Sequence, residues 1–305
     1  TRGTPPLPLP DPLNAFIIHM ARGLHPEFAC EAIGNAASAN SNTVIPMRLQ
    51  RAFCALLLLS CSVIGSPASG QQLRPGIIDK DDRVRVDSKG PPWDAIGQVN
   101  ISGYRRLGAC TCTLVAPDLV LTAAHCVMDQ WKQAPHPLHH IHFLAGVRGP
   151  KHKGHATAKC LRFLPDYRPL PAPRSRSKKS FSTEAFMQDV VIIELSKKLA
   201  VETASLAEGL KLRRGLKLIH AAYSADRRYA LSAHFGCRLN LMRPDEGLLY
   251  TSCDTHPASS GGPLLVQGDD NKLKVAAILL GGDISRSVGL SISKWLQLIK
   301  RPACS

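Results

Sequence analysis

Aromatic residues are scarce in this chain of 305 residues, and basic residues outnumber acidic ones. Only 5% of the residues are Phe, Trp or Tyr, and the formal net charge is +15. Nucleic-acid-binding modules combine basic side chains with aromatic ones in recognisable motifs. No such motif is present. The positive charge is therefore interpreted as a solvated basic surface, and no nucleic-acid partner is expected.

Long hydrophobic runs are also missing. No stretch reaches the eighteen or so uninterrupted apolar residues that a membrane-spanning helix needs. A shorter apolar run, 52–59, follows a basic stretch that begins at Met47 and precedes small residues that end at Gly70. This order is typical of a secretory signal peptide. We therefore expect residues 47–70 to be a signal peptide, the mature protein to have no integral membrane segment, and its location to be secreted or, in a bacterium, periplasmic.

The two sides of this predicted signal differ in composition. Residues 1–46 are rich in Pro, Ala and Asn without a sustained period, and we interpret them as a non-native upstream or disordered segment. Residues 71–305 are predicted to form one compact unit, since an overall apolar content of 44% is enough for a sizeable core.

Cysteine usage agrees with export. Of ten cysteines, three (Cys30, Cys54 and Cys61) precede the predicted cleavage point, so the mature chain keeps an odd number, seven. Disulfides are plausible in an exported protein. Two are expected: Cys110 with Cys126 across a predicted hairpin, and Cys237 with Cys253 at the ends of neighbouring predicted strands. The pairing among Cys112, Cys160 and Cys304 is left open.

No metal or other cofactor is expected. Cys110 and Cys112 have no second cysteine pair at ligand spacing. The histidines at 136, 139, 140 and 142 have no regular ligand spacing either.

Short apolar or alternating runs between Gly, Pro and Asp turns predict an all-β protein. Residues 291–300 alone have a helical rhythm, with Ile292, Trp295, Leu296 and Ile299 on one side. A basic segment, 168–183, is predicted to be an exposed loop. Many strands closed by one C-terminal helix favour two packed barrels, at about 77–195 and 205–290. The predicted strands are 95–101, 111–115, 120–123, 140–145, 158–163, 190–195, 216–222, 231–238, 248–253, 264–267 and 274–280.

Three segments carry chemistry. The first, LTAAHC, puts His125 at the end of an apolar run, and the second, DVVIIEL, puts Asp189 at the start of one. A carboxylate beside a buried strand is costly unless it is hydrogen-bonded, and holding an imidazole is one such use. The third, SSGGP, puts Ser260 in a turn whose glycines let the backbone approach a substrate carbonyl. Together they predict a base, an orienting acid and a nucleophile.

These segments, in this order, resemble the trypsin-like serine peptidases, and more closely the bacterial secreted branch that includes the glutamyl endopeptidases. The resemblance covers roughly residues 77–300. It implies two six-stranded antiparallel β-barrels with the cleft between them, and hydrolysis of proteins or peptides through an acyl-enzyme. It also implies that His125, Asp189 and Ser260 are the catalytic triad and that the backbone N–H groups of Ala258 and Ser260 form the oxyanion hole.

The sequence departs from the family pattern beside the nucleophile. Animal members generally carry Gly-Asp where this chain has Ala258 and Ser259, and Ser259 cannot form the ion pair that activates those zymogens. An alanine pays a steric cost if the turn needs a positive φ. Asp254 and Thr255 fall where the family builds the floor of its primary pocket. A leucine replaces the histidine of the glutamate-selective branch, so the preference among basic, acidic and apolar residues stays open.

Two other functions remain as alternatives. A catalytically inactive serine-protease homologue, acting as a binding protein, would keep the fold, and Ala258 is the feature that favours it. A basic surface-binding protein on the same scaffold is suggested only by the net charge and the 168–183 loop.

Overall fold

The computed structural model describes residues 74–102, 109–165, 167–170 and 183–304. The predicted signal peptide, residues 1–46 and most of the 168–183 loop lie outside these ranges. All described residues belong to the second of the two units into which the chain divides, Gln72–Ser305. Its strands in chain order are β1 (Arg83–Arg85), β2 (Ile96–Ile101), β3 (Cys110–Ala116), β4 (Leu119–Thr122), β5 (Met128–Asp129), β6 (Ala134–Pro135), β7 (Ile141–Ala145), β8 (Gly154–Phe163), β9 (Val191–Leu195), β10 (Ser205–Leu206), β11 (Lys217–Ala222), β12 (Ser232–Arg243), β13 (Leu248–Thr251), β14 (Pro263–Gln267), β15 (Leu273–Gly282) and β16 (Ser287–Ser291).

The first barrel is a closed antiparallel sheet in the order β2-β3-β4-β9-β8-β7. Each of its six strands was predicted, because each is a short apolar or alternating run. The pairing of β4 with β9 matters most for function, since it sets Thr122 opposite Val191. The residues that follow β4 and those that precede β9 are thereby brought to the same edge of the barrel.

The second barrel contains β12-β11-β14-β15-β16-β13 and is closed by pairing of β12 with β13. The sequence predicted five of these strands and missed β16. Its residues SVGLS lack a strong apolar alternation, and its pairing depends partly on a polar contact inside the barrel. Ser287 lies opposite Thr251 on β13, and their hydroxyl oxygens are 2.6 Å apart and buried. The expected two six-stranded barrels are confirmed.

The segment before the first barrel lies on the second one. The sequence predicts that residues from 77 onward belong to the N-terminal barrel, but β1 pairs antiparallel with β12, with Arg83 opposite His234. The short β10 pairs in parallel with β15. These additions extend the second sheet beyond its six barrel strands.

Two α-helices are described, α1 (Thr183–Met187) and α2 (Ile292–Ile299). The predicted terminal helix is confirmed, but its buried face is made by Ile292, Trp295 and Leu298. Leu296 and Ile299 are only partly buried. Ser291 caps the helix by accepting a hydrogen bond from Ser293 N–H. Among the described residues, no helix has the length and apolar content to cross a bilayer.

Three disulfides join the described cysteines. Cys110–Cys126 and Cys237–Cys253 pair as expected, and Cys160 pairs with Cys304 across 144 residues of sequence. Cys112 remains a thiol, fully buried in the first barrel. Burial raises its pKa well above the ordinary value.

Candidate active site

His125 and Asp189 meet where β4 and β9 pair. His125 lies in a short 3₁₀ helix, Ala124–Cys126, just after β4, and Asp189 lies two residues before β9. One carboxylate oxygen accepts the backbone N–H of His125 at 2.8 Å, and the other lies 2.6 Å from His125 Nδ1. The Asp189 side chain is fully buried. A carboxylate in this position holds the proton on Nδ1, so the lone pair of the neutral ring is on Nε2.

Ser260 is held against the barrel that carries His125. Its carbonyl accepts the Thr111 N–H at 3.0 Å and lies 3.8 Å from the sulfur of Cys126. The next residue, Gly261, has φ +79°, and a Cβ there would collide with Thr122 Oγ1 and with the Thr111 carbonyl. Only glycine fits this approach between the barrels. The Ser260 hydroxyl donates to the Leu280 carbonyl at 3.1 Å.

The turn before Ser260 has a strained backbone. Ala258 adopts φ +76°, a conformation that costs a non-glycine residue roughly 1–2 kcal/mol. Its carbonyl is held by the Thr111 hydroxyl at 3.1 Å, and that hydroxyl accepts the Tyr223 N–H. Within the described part of the chain, the N–H groups of Ala258 and Ser260 donate no hydrogen bond. The alanine therefore adopts the conformation that the sequence left in question.

Ser259 is satisfied without any charge. It is fully buried; its hydroxyl lies 2.9 Å from that of Ser224 and accepts the His256 N–H at 3.2 Å. The residue before Ser260 is thus fixed by neutral hydrogen bonds. Nothing in its sequence neighbourhood identifies Ser224 as the partner, because the two serines are 35 residues apart.

Asp254 and Thr255 lie at the base of the loop that leads to Ser260. The Asp254 carboxylate is fully buried and accepts the N–H groups of Ile78 and Asp82 at 2.9 and 2.8 Å. It also lies 3.2 Å from His234 Nδ1. Burial disfavours its charge, yet these three partners together hold the pKa of Asp254 below its ordinary value. Thr255 packs against Gly282, where a Cβ would come within 2.6 Å of Thr255 Cγ2.

A cleft opens beside this constellation. It has a volume of about 860 Å³ and runs between the two barrels. It is lined by His125, Cys126, Ile101, Ser102, Ala109, Cys110, Met128, His136, Ala225, Arg228, Pro257 and Ala258. A bound chain in the cleft would therefore lie beside the imidazole and the strained turn.

Comparison with known proteins agrees with this geometry. Residues 110–273, more than half of the chain, match the family described as the trypsin-like peptidase domain. The chain belongs to the trypsin-like peptidase family. A solved structure of a Glu endopeptidase in complex with MPD is similar to this trypsin-like peptidase with a TM-score of 0.58. The two share 19% identity over 73% of this chain and 97% of that one, and this likeness shows the fold. No curated protein matches the chain in sequence.

Among the described residues of this trypsin-like peptidase, metal-ligating atoms come together in three places. Two of these groups are built on the Cys110–Cys126 and Cys160–Cys304 disulfides, whose sulfurs are bonded to each other and are not thiolate ligands. The third joins Asp82, His234 and Asp254. Asp254 there already accepts one backbone N–H group on each of its carboxylate oxygens.

Proposed function

We propose that this trypsin-like peptidase is a secreted serine endopeptidase that cleaves proteins or peptides through His125, Asp189 and Ser260. The observation that carries the proposal is the two-point contact of Asp189 with His125. One oxygen holds the backbone and the other holds Nδ1, which fixes both the position and the tautomer of the ring.

The chemistry follows from that tautomer. His125 Nε2 takes the proton of the Ser260 hydroxyl as its oxygen attacks the peptide carbonyl, and Asp189 stabilises the imidazolium that forms. The tetrahedral intermediate collapses, the C–N bond breaks, and His125 returns the proton to the leaving amine. Water, deprotonated by the same ring, then hydrolyses the acyl ester and restores Ser260. The hydroxyl must first turn from the Leu280 carbonyl to the imidazole, and apo hydrogen bonds commonly rearrange in this way. No cofactor is required.

The N–H groups of Ala258 and Ser260 are the proposed oxyanion hole. They donate no bond within the described residues, and the positive φ of Ala258 is held by the Thr111 hydroxyl. Such preorganised donors contribute most where charge develops, and removing one costs about a hundredfold or more in rate.

Thr255, with the Gly282 backbone beside it, is proposed to line the pocket for the residue that precedes the scissile bond. Asp254, which precedes Thr255 in the same loop, is proposed to belong to the floor of this pocket. Membership of the glutamyl-endopeptidase-like branch is part of the proposal, supported by the fold shared with a Glu endopeptidase. Profiling cleavage of a peptide library would rank acidic, basic and apolar residues at that position.

Export is proposed from the 47–70 signal and is supported by the three disulfides. Residues 71–305 would then be the mature peptidase, and residues 1–46 lie before the signal. N-terminal sequencing of protein recovered from the medium or periplasm tests this, and a first residue far from Gln71 would contradict it.

Labelling with a fluorophosphonate probe tests the enzyme function. Folded wild-type protein should be labelled at Ser260, and Ser260→Ala should abolish labelling. Asp189→Asn should keep the fold and lower kcat by about 10⁴-fold, since the ring would then favour the wrong tautomer. Wild-type protein that is folded, processed and unlabelled would instead identify the inactive homologue, whose cleft serves binding.

A further inference from the structure

The residues before the first barrel form a strap across the second one. This strap, residues 76–86, begins beside Thr255 and ends where Val86 N–H donates to the Leu231 carbonyl at 2.8 Å. Between these points β1 pairs with β12. Ile77 and Val86 are buried, at 6% and 4% exposure. The strap is therefore a packed part of the second barrel.

The strap contacts the base of the nucleophile loop directly. Thr255 N–H donates to the Gly76 carbonyl at 2.8 Å, while the Asp254 carboxylate receives the N–H groups of Ile78 and Asp82. Gly76 has φ +83°, and a Cβ on it would lie 2.7 Å from the Thr255 carbonyl. The backbones of the strap and the loop are thus as close as they can be.

A charged network makes a second connection. Arg83, on the strap and 5% exposed, donates to Asp81 and to Asp226. Asp226 also lies 3.4 Å from His256 Nδ1, and the neighbouring Ala225 N–H donates to the Pro257 carbonyl at 2.7 Å. Through Asp226, the strap supports the two residues that precede Ala258.

The hydrogen-bond partners of Asp254 show which part of the molecule its negative charge stabilises. A buried carboxylate must be matched by donors, and both of its oxygens already have them: Oδ1 bonds Ile78 N–H, and Oδ2 bonds Asp82 N–H and lies beside His234. The carboxylate is also fully buried, so a substrate ammonium or guanidinium would reach it only after the strap or the loop had moved. The charge of Asp254 is thus directed toward the strap.

We infer that Asp254 is a positioning residue, whose carboxylate fastens the strap and thereby keeps the loop 255–260 in the conformation with a strained Ala258 and a half-buried Ser260. This inference rests on the proposed function. If Asp254 acts in this way, the oxyanion hole assembles only when the strap is docked. No charge at Ser259 is needed.

Asp254→Asn is the principal test. The amide keeps the shape but turns one donor toward a backbone N–H, so one bond to Ile78 or Asp82 is lost. A lost charge-assisted hydrogen bond corresponds to about a tenfold change in the ratio of docked to undocked strap. We expect kcat and the fluorophosphonate labelling rate to fall by about that factor, equally for peptides with basic, acidic or apolar residues before the scissile bond. KM should change little.

Lys80→Ala is the matched control. Lys80 lies on the same strap, and its side chain is exposed, so this variant should behave as wild type. A loss confined to cleavage after Lys and Arg, with KM raised, would overturn the inference, because the charge of Asp254 would then act on the substrate and not on the strap. Equal labelling of wild type and Asp254→Asn would also overturn it. Unlabelled wild type would remove the proposed function and this inference together.

Gly76→Ala gives a second, independent perturbation if Asp254→Asn fails to show a cooperative thermal transition. It retains the carboxylate but forces the strap away from Thr255, because the new Cβ would lie 2.7 Å from its carbonyl and the φ is unfavourable. The same fall in kcat, with equal selectivity, is expected. If Gly76→Ala is folded and has the kcat of wild type, the strap does not position the loop 255–260.

Discussion

Ala258→Gly relieves the strain beside the proposed nucleophile. Alanine at φ +76° costs roughly 1–2 kcal/mol, which glycine does not pay. Glycine loses about 0.5–1 kcal/mol more backbone entropy on folding. The methyl group of Ala258 is only partly buried, so its removal costs roughly a few tenths of a kcal/mol. The balance is a stabilisation of about 0.5 kcal/mol, or about 1–2 °C in Tm for a domain of this size.

The same relief favours the turn that presents the Ala258 and Ser260 N–H groups. Strain of roughly 1–2 kcal/mol lowers the ratio of the competent turn to a competing relaxed turn by about 5- to 30-fold. We therefore expect Ala258→Gly to raise kcat and the fluorophosphonate labelling rate by about two- to tenfold, with little change in KM. Stopped-flow or time-resolved labelling would measure this rate directly.

Stability is best compared by urea unfolding in a Ser260→Ala background, which removes autolysis. Ala200→Gly is the matched control: Ala200 is exposed and has no positive φ, so the change should destabilise by about 0.5–1 kcal/mol through chain entropy alone. If Ala258→Gly destabilises as much as Ala200→Gly, or slows labelling, then Ala258 is not strained in the working enzyme and the reasoning is wrong.

Two further predictions concern the first barrel. Hydrogen bonds from Arg162 and from the Cys304 N–H lower the pKa of Glu194 from 4.5 to about 2. Because the folded value is the lower one, the stability advantage of wild type over Glu194→Gln should be complete above about pH 4.5 and disappear as the pH falls toward 2, as measured by urea unfolding at several pH values. The buried, high-pKa Cys112 should resist iodoacetamide in the native protein and react after denaturation, as peptide mass analysis would show; native alkylation would refute its burial.

Local patterns were enough for the first barrel and for the three chemical segments. The runs around 121–126 and 189–195 are continuous apolar strands that end or begin at the residue of interest, so strand and site follow from the same few residues. The glycines after Ser260 similarly predict that the backbone of this turn lies close to another segment. Gly261 does lie against Thr122 and Thr111 of the first barrel. Such signals are local, because they depend on a few neighbouring residues and not on the segments that pack against them.

Weak or polar elements escaped prediction. β16 is stabilised by its neighbours and by the buried Thr251–Ser287 contact, not by an apolar alternation of its own. β1 has three residues and exists because β12 offers it an edge. Neither strand has a periodicity long enough to be recognised without its partner.

The sequence alone therefore determined the all-β class, two of the disulfides and the identity of a histidine, an acid and a serine that could react together. Tertiary structure alone decided which cysteine stays reduced, that Ala258 adopts a positive φ, and that the Asp254 carboxylate bonds a strap more than 170 residues away. The reason is physical: propensity and periodicity act over a few residues, whereas the partner of a buried charge or thiol is chosen by how distant segments pack.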